Sequence, residues 1–199
     1  MPDYEYENAA KSGGFKLVCG VDEAGRGPLA GPVCAAAVIL PENAVIESLN
    51  DSKKLSEKKR EALYDVIKEK AIAFCVAYGT LEEIETLNIL QATFLAMNRA
   101  IDGLAVKPDF ALIDGNRVPK DIKIPCETVV KGDGRSMSVA AASVLAKVTR
   151  DRLMLEYDKK YPEYDFKKHK GYGTKEHTEL IKKYGPCEIH RMSFLKNIL

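Results

Sequence analysis

Asp22 and Glu23 stand side by side at the end of the apolar run Leu17-Val18-Cys19-Gly20-Val21, and Ala24-Gly25-Arg26-Gly27-Pro28 follows at once. Burying an unpaired carboxylate costs several kcal/mol, so two adjacent acids closing a strand point to a cation there. Two more acids occupy the same kind of place. Asp114 ends Phe110-Ala111-Leu112-Ile113, and Asp133 follows Thr128-Val129-Val130 inside Lys131-Gly132-Asp133-Gly134. In open α/β sheets ligands gather where strand ends meet, so Asp22, Glu23, Asp114 and Asp133 could converge although distant in sequence. Carboxylates without ligand-spaced His or Cys suit hard, oxygen-seeking Mg2+ or Mn2+ rather than zinc. Each acid also has a plainer reading. Asp114-Gly115 is a common turn dipeptide, Asp133 could be a turn or capping residue, and one acid of the Asp22-Glu23 pair could simply face Arg26.

These acids need strands to carry them. β-branched and apolar content with turn signals between predicts strands over Lys16 to Val21, Val33 to Leu40, Ala71 to Tyr78, Phe110 to Ile113 and Ile122 to Val130. Helical spacing predicts helices over Ser56 to Lys70, where Ser56 can cap, over Leu81 to Ile101, and over the alanine-rich stretch Ser138 to Tyr161. Three early strands followed by alternating helix and strand predict a mixed sheet with helices on its faces, an α/β layered domain. The small side chains Ala140, Ala141, Ala142 and Ala146 would let the last helix lie close against its neighbour. Residues 1–14 are polar and read as a flexible leader, which leaves residues 15–199 as one domain.

Charge is unevenly spread. Residues 1–114 carry 12 Lys and Arg against 18 Asp and Glu, and the rest carries 18 against 11, for a net charge of +1. Such a split suits a chain that holds metal with one part and a phosphate backbone with the other, although two solvated faces of opposite sign would look the same. The five cysteines, Cys19, Cys34, Cys75, Cys126 and Cys187, are odd in number, form no C-x-x-C pair and read as reduced core thiols. The longest apolar run, Val33 to Leu40, is far too short to span a bilayer, and no signal-peptide pattern opens the chain. A cytoplasmic protein is expected.

Gly20-Val21-Asp22-Glu23-Ala24-Gly25-Arg26-Gly27-Pro28-Leu29-Ala30-Gly31-Pro32-Val33 resembles the opening signature of the bacterial ribonuclease HII family. Further blocks agree in order: Asp51-Ser52-Lys53-Lys54-Leu55-Ser56, Asp114-Gly115-Asn116, Lys131-Gly132-Asp133, Ala140 to Val148, His169-Lys170-Gly171-Tyr172-Gly173-Thr174 and His190-Arg191-Met192-Ser193-Phe194. The resemblance implies a ribonuclease H-like fold, a five-stranded mixed sheet flanked by helices, with a helical C-terminal extension. It implies an endoribonuclease that hydrolyses the RNA strand of RNA/DNA hybrids and incises 5′ of single ribonucleotides embedded in duplex DNA, giving 3′-hydroxyl and 5′-phosphate ends. By the family motif Asp22, Glu23, Asp114 and Asp133 would be catalytic and hold two ions of Mg2+ or Mn2+.

Telling ribose from deoxyribose requires sensing one 2′-hydroxyl, and glycines let backbone groups approach it where a Cβ would collide. The resemblance gives this role to Gly25, Arg26 and Gly27, and places Tyr172 against the sugar that follows the ribonucleotide. Lys53 is a candidate for a phosphate contact that positions the duplex without reading its sequence. His169, His177 and His190 read as structural or phosphate-contacting. The expected partners are the hybrid and the ribonucleotide-containing duplex, bound by a monomer. The rival readings are a non-catalytic hybrid-binding module, a ribonuclease HIII-like enzyme, which lacks the Gly-Arg-Gly turn, and a metal-dependent phosphatase.

Overall fold

A computed structural model describes residues 1–199. Five strands form one sheet in the order β3-β2-β1-β4-β5. β1 (Val18–Ala24), β2 (Val33–Ile39) and β3 (Ala73–Gly79) pair antiparallel as a meander, whereas β4 (Phe110–Asp114) lies parallel to β1 and β5 (Cys126–Val129) parallel to β4. This is the mixed sheet expected from the sequence.

Strand β2, between β3 and β1, is buried along its whole length because both faces are covered. Its side chains alternate with the period of a strand. Cys34, Ala36 and Val38 join the core under helices α2 (Glu57–Lys70) and α5 (Met137–Lys160), and Ala35, Ala37 and Ile39 join the core under α4 (Ile89–Asp102). Small residues at both surfaces bring the helices close. At Gly20 of β1 the approach is closest: a Cβ there would lie 2.2 Å from the Ser138 carbonyl carbon and the Val139 nitrogen. The first turn of α5 therefore rests directly on β1.

Three elements differ from expectation. The helix predicted over 81–101 is two, α3 (Leu81–Leu87) and α4, because Asn88 adopts φ 81° and its Oδ1 accepts from the Leu90 and Gln91 amides at 3.0 and 3.2 Å, which starts a new helix. β5 begins only at Cys126; Pro125, which has no N–H to donate, ends the irregular segment before it. The stretch expected to be a flexible leader contains helix α1 (Glu5–Ser12), with Glu7 and Ala10 buried. Tyr6, Ala10 and Phe15 pack against Val18, Leu112, Val129 and Val139, enough apolar surface to dock a short helix whose composition alone looks mobile.

Helices α6 (Phe166–His169) and α7 (Lys175–Tyr184) make the C-terminal extension. Ala30, Met154, Phe166, Ile181 and Leu195 share its core, which fastens it to the loop after β1. All five cysteines are free thiols; Cys19 and Cys34 are buried, which pushes both up to about 12. No helix is long and apolar enough to cross a membrane.

Candidate active site

Register brings the acids together. Val21 pairs with Ile113 in the parallel β1–β4 ladder, so Asp114, one residue on, lies alongside the Asp22-Glu23 end of β1. Carboxylate oxygens of Asp22, Glu23 and Asp114 all lie within 4.8 Å of one another. Alternation along β1 turns Asp22 to the α5 side with Gly20 and Glu23 to the α4 side with Val21. Asp22 accepts the Glu23 amide at 2.7 Å, and Asp114 accepts the Gly132 amide at 2.7 Å.

Burial, then the neighbouring charges of Glu23 and Asp114, holds the Asp22 carboxyl well above the usual carboxylate range. Burial also raises Glu23, against the opposing pull of Arg26, whose guanidinium stands 3.3 Å away. The ion pair offered as the plainer reading thus exists, but it takes one oxygen of Glu23 and leaves Asp22 and Asp114 unpaired. An all-oxygen group, partly desolvated and mutually repelling, fits a hard divalent cation, which would relieve both costs at once.

Asp133 is buried in the 3-10 turn Gly132–Gly134, just before α5, and stands outside the tight group of three. Its carboxyl is raised to about 6 by burial, then by the neighbouring carboxylates of Asp114 and Asp51. Lys53 sits among these acids. Burial lowers its pKa, but Asp22, Asp133, Asp51 and Asp114 together outweigh that and raise it.

Gly25, Arg26 and Gly27 lead from the acids into a cleft of about 480 Å³ that is also lined by Ser52, Lys53, Ser143, Lys147 and Tyr172. Gly25 has φ +95° and an added Cβ would fall 2.0 Å from the Arg150 Nε, so only glycine fits. Two buried arginines shape this turn. Arg191 donates from Nη1 to the Arg26 carbonyl at 2.9 Å, from Nη2 to the Gly25 carbonyl at 2.6 Å, and from Nε and Nη2 to the Gly31 carbonyl at 2.9 and 2.7 Å. Arg150 donates to the carbonyls of Pro32, Lys170 and Ala30 at 3.1, 3.0 and 2.9 Å. Both guanidiniums spend their donors on backbone oxygens and hold the turn in one shape.

Tyr172 is half exposed at the cleft, with Lys147 5.7 Å and Arg150 6.0 Å from its ring centre. Its backbone is fixed by buried histidines. The Cys187 amide donates to His190 Nδ1 at 2.9 Å, the Nε2 atoms of His190 and His177 lie 3.1 Å apart, and His177 Nδ1 bonds the Tyr172 carbonyl at 2.9 Å. Neutral imidazoles satisfy the whole chain. Burial brings His177 and His190 down to about 4, in keeping with a structural role.

Sequence reasoning missed Asp51, Arg150, Arg191 and Ser143 as parts of this site. Ser143 Oγ donates to Ser52 Oγ at 2.7 Å across the cleft wall. Nothing local marks them: Arg150 reaches Ala30 across 120 positions, Arg191 reaches Gly25 across 166, Ser143 reaches Ser52 across 91, and Asp51 acts on Asp133.

Clustered carboxylates at adjoining strand ends of a five-stranded mixed sheet, opening into a cleft, define a metal-dependent hydrolase of the ribonuclease H-like fold. A family model described as Ribonuclease HII matches residues 19–197. Ribonuclease HII of Caldicellulosiruptor bescii is 54% identical over 98% of this chain and 95% of its own length, and that of Endomicrobium trichonymphae is 59% identical over 91% and 86%. The crystal structure of ribonuclease H2 from Pyrococcus horikoshii superposes with a TM-score of 0.73 at 28% identity, covering 89% of this chain and 93% of that one. The chain belongs to the ribonuclease HII family and is a metal-dependent nuclease.

Proposed function

We propose that the chain hydrolyses the RNA strand of RNA/DNA hybrids and incises 5′ of single ribonucleotides in duplex DNA, leaving 3′-hydroxyl and 5′-phosphate ends. One observation carries this reading: the carboxylates grouped within 4.8 Å stand immediately before a Gly25-Arg26-Gly27 turn whose carbonyls are pinned by Arg191. Acid cluster and sugar-reading backbone are thus adjacent. In the family's pattern Asp22, Glu23, Asp114 and Asp133 would hold two ions, Mg2+ or Mn2+. Such ions supply Lewis acidity that activates water and neutralises charge growing on the phosphate. The chain's own groups do the rest. The glycine turn presents backbone groups to the 2′-hydroxyl, Tyr172 offers a ring face to the next sugar, and Lys53 brings positive charge to the phosphate without reading sequence. The protein acts as a monomer.

The test is cleavage of a labelled duplex holding one ribonucleotide, with Mg2+, with Mn2+ and with chelator, beside Asp22→Asn. Metal-dependent incision 5′ of the ribonucleotide, lost in the variant and absent on all-DNA duplex, is expected. Cleavage of continuous hybrids without incision at a single ribonucleotide would overturn the junction claim. Hybrid binding without any cleavage in either metal would favour the binding module.

A further inference from the structure

Asp133 lies in a turn tied at both ends: the Gly132 amide donates to Asp114 at 2.7 Å, and the Gly132 carbonyl accepts the Arg135 and Ser136 amides at 2.9 and 2.8 Å, which couples the turn to the start of α5. Its position depends on where α5 begins. From one side Gly20 sets that start, with the helix resting on β1. From the other side residues 3–7 set it, ahead of the part of the chain that the family model matches.

Asp3 donates its amide to the Arg135 carbonyl at 3.1 Å and accepts the Met137 amide at 3.0 Å, a single rung of sheet beside the turn. Tyr6 places its ring 5.0 Å from the Arg135 guanidinium. Glu7 completes the brace. Its Oε1 accepts from the Ser138 amide at 2.9 Å, the Ser138 hydroxyl at 2.6 Å and the Ser136 hydroxyl at 2.6 Å. With its proton given to Glu7, Ser136 Oγ keeps a lone pair for the Val139 amide at 3.2 Å, which is the N-cap of α5. The other oxygen, Oε2, is buried with no partner. Glu7 thus gives up half of its hydrogen-bonding capacity to place one oxygen on three donors at a helix N-terminus, where negative charge is favoured.

We infer that Glu7 is a positioning residue for Asp133: through Ser136 and Ser138 it fixes the first turn of α5, and so the carboxylate three residues ahead of that cap. The inference rests on the reading of Asp133 as a metal ligand. Helix α1 then serves the active site from more than one hundred residues away in sequence.

The test is calorimetric titration of Mn2+ into metal-free protein without nucleic acid, comparing wild type with Glu7→Ala, Glu7→Gln, Asp133→Asn and Leu104→Ala. Removing a partner that orients a metal ligand weakens binding by about tenfold or more, and this is expected for Glu7→Ala. Glu7→Gln keeps one acceptor oxygen for the three donors and should restore most of the affinity. Leu104, in the core under α4 that contains no residue of α5 or of the turn, supplies the control: Leu104→Ala lowers the melting temperature and should leave Mn2+ affinity unchanged. Wild-type affinity in Glu7→Ala while Asp133→Asn binds weakly would overturn the inference. An equal loss in Glu7→Ala and Leu104→Ala would do the same, by reducing Glu7 to general stability. Unchanged binding in Asp133→Asn would overturn the reading beneath it, and the inference with it.

Discussion

Replacing Arg191 by lysine keeps the charge and removes the fork. The side chain is fully buried and its four hydrogen bonds reach three carbonyls, those of Gly25, Arg26 and Gly31. A lysine nitrogen cannot serve all three from one position, so at least one or two buried carbonyls lose their donor, at about 1–3 kcal/mol each. A loss of about 3 kcal/mol lowers the melting temperature of a chain this size by about 6–12 °C. The freed carbonyls belong to the turn proposed to meet the 2′-hydroxyl, and a displacement of about 1 Å there can cost about 100-fold in rate. Arg191→Lys should therefore lose about two orders of magnitude in kcat/KM on a duplex with one ribonucleotide. Its Mn2+ affinity should stay near wild type, because the guanidinium touches none of the acids. Melting curves, steady-state incision and Mn2+ calorimetry on the same preparation separate these effects. A variant with wild-type melting temperature and incision would refute the clamp, and one whose rate loss tracks Mn2+ loss would place Arg191 in support of the metal site instead.

Other expectations follow from the same geometry. Asp133 titrates near 6 in the folded metal-free protein and at the ordinary carboxylate value, 3.8, when unfolded, so the native state binds more protons between those values. The site's contribution to metal-free stability should accordingly rise as pH falls through about 6, while the gain in melting temperature on adding Mg2+ shrinks over the same window; a gain that grows on acidification would contradict this. Gly20→Ala puts a carbon 2.2 Å from the backbone of α5 and must push the helix off β1. Urea unfolding should show a loss of about 3 kcal/mol, at the upper end for overpacking because backbone, not a side chain, must move.

Much of this protein is written locally. The unbroken apolar run Val33–Ile39, the cap at Ser56 and the helical spacing of Leu63 and Ile67 need no distant partner to be read, and the structure agrees with each. Acids at the ends of apolar runs are legible for the same reason, since a strand end tolerates a carboxylate only where something compensates it. What local pattern does not encode is register and long-range company. Whether Asp114 lands beside Asp22 depends on how β4 slides along β1, and a one-residue slip would send it to the other face. The break at Asn88 turns on one residue's φ, which periodicity averages away. Arg191 looks like any basic residue until Gly25, 166 positions earlier, comes under it, and Glu7 looks like part of a solvated leader until Ser138 offers its donors. Composition and motif thus determined the sheet, its acids and the family. The tertiary structure decided which buried side chains hold those acids and the Gly25-Arg26-Gly27 turn in place, because buried hydrogen bonds are made between surfaces that meet only once the chain has folded.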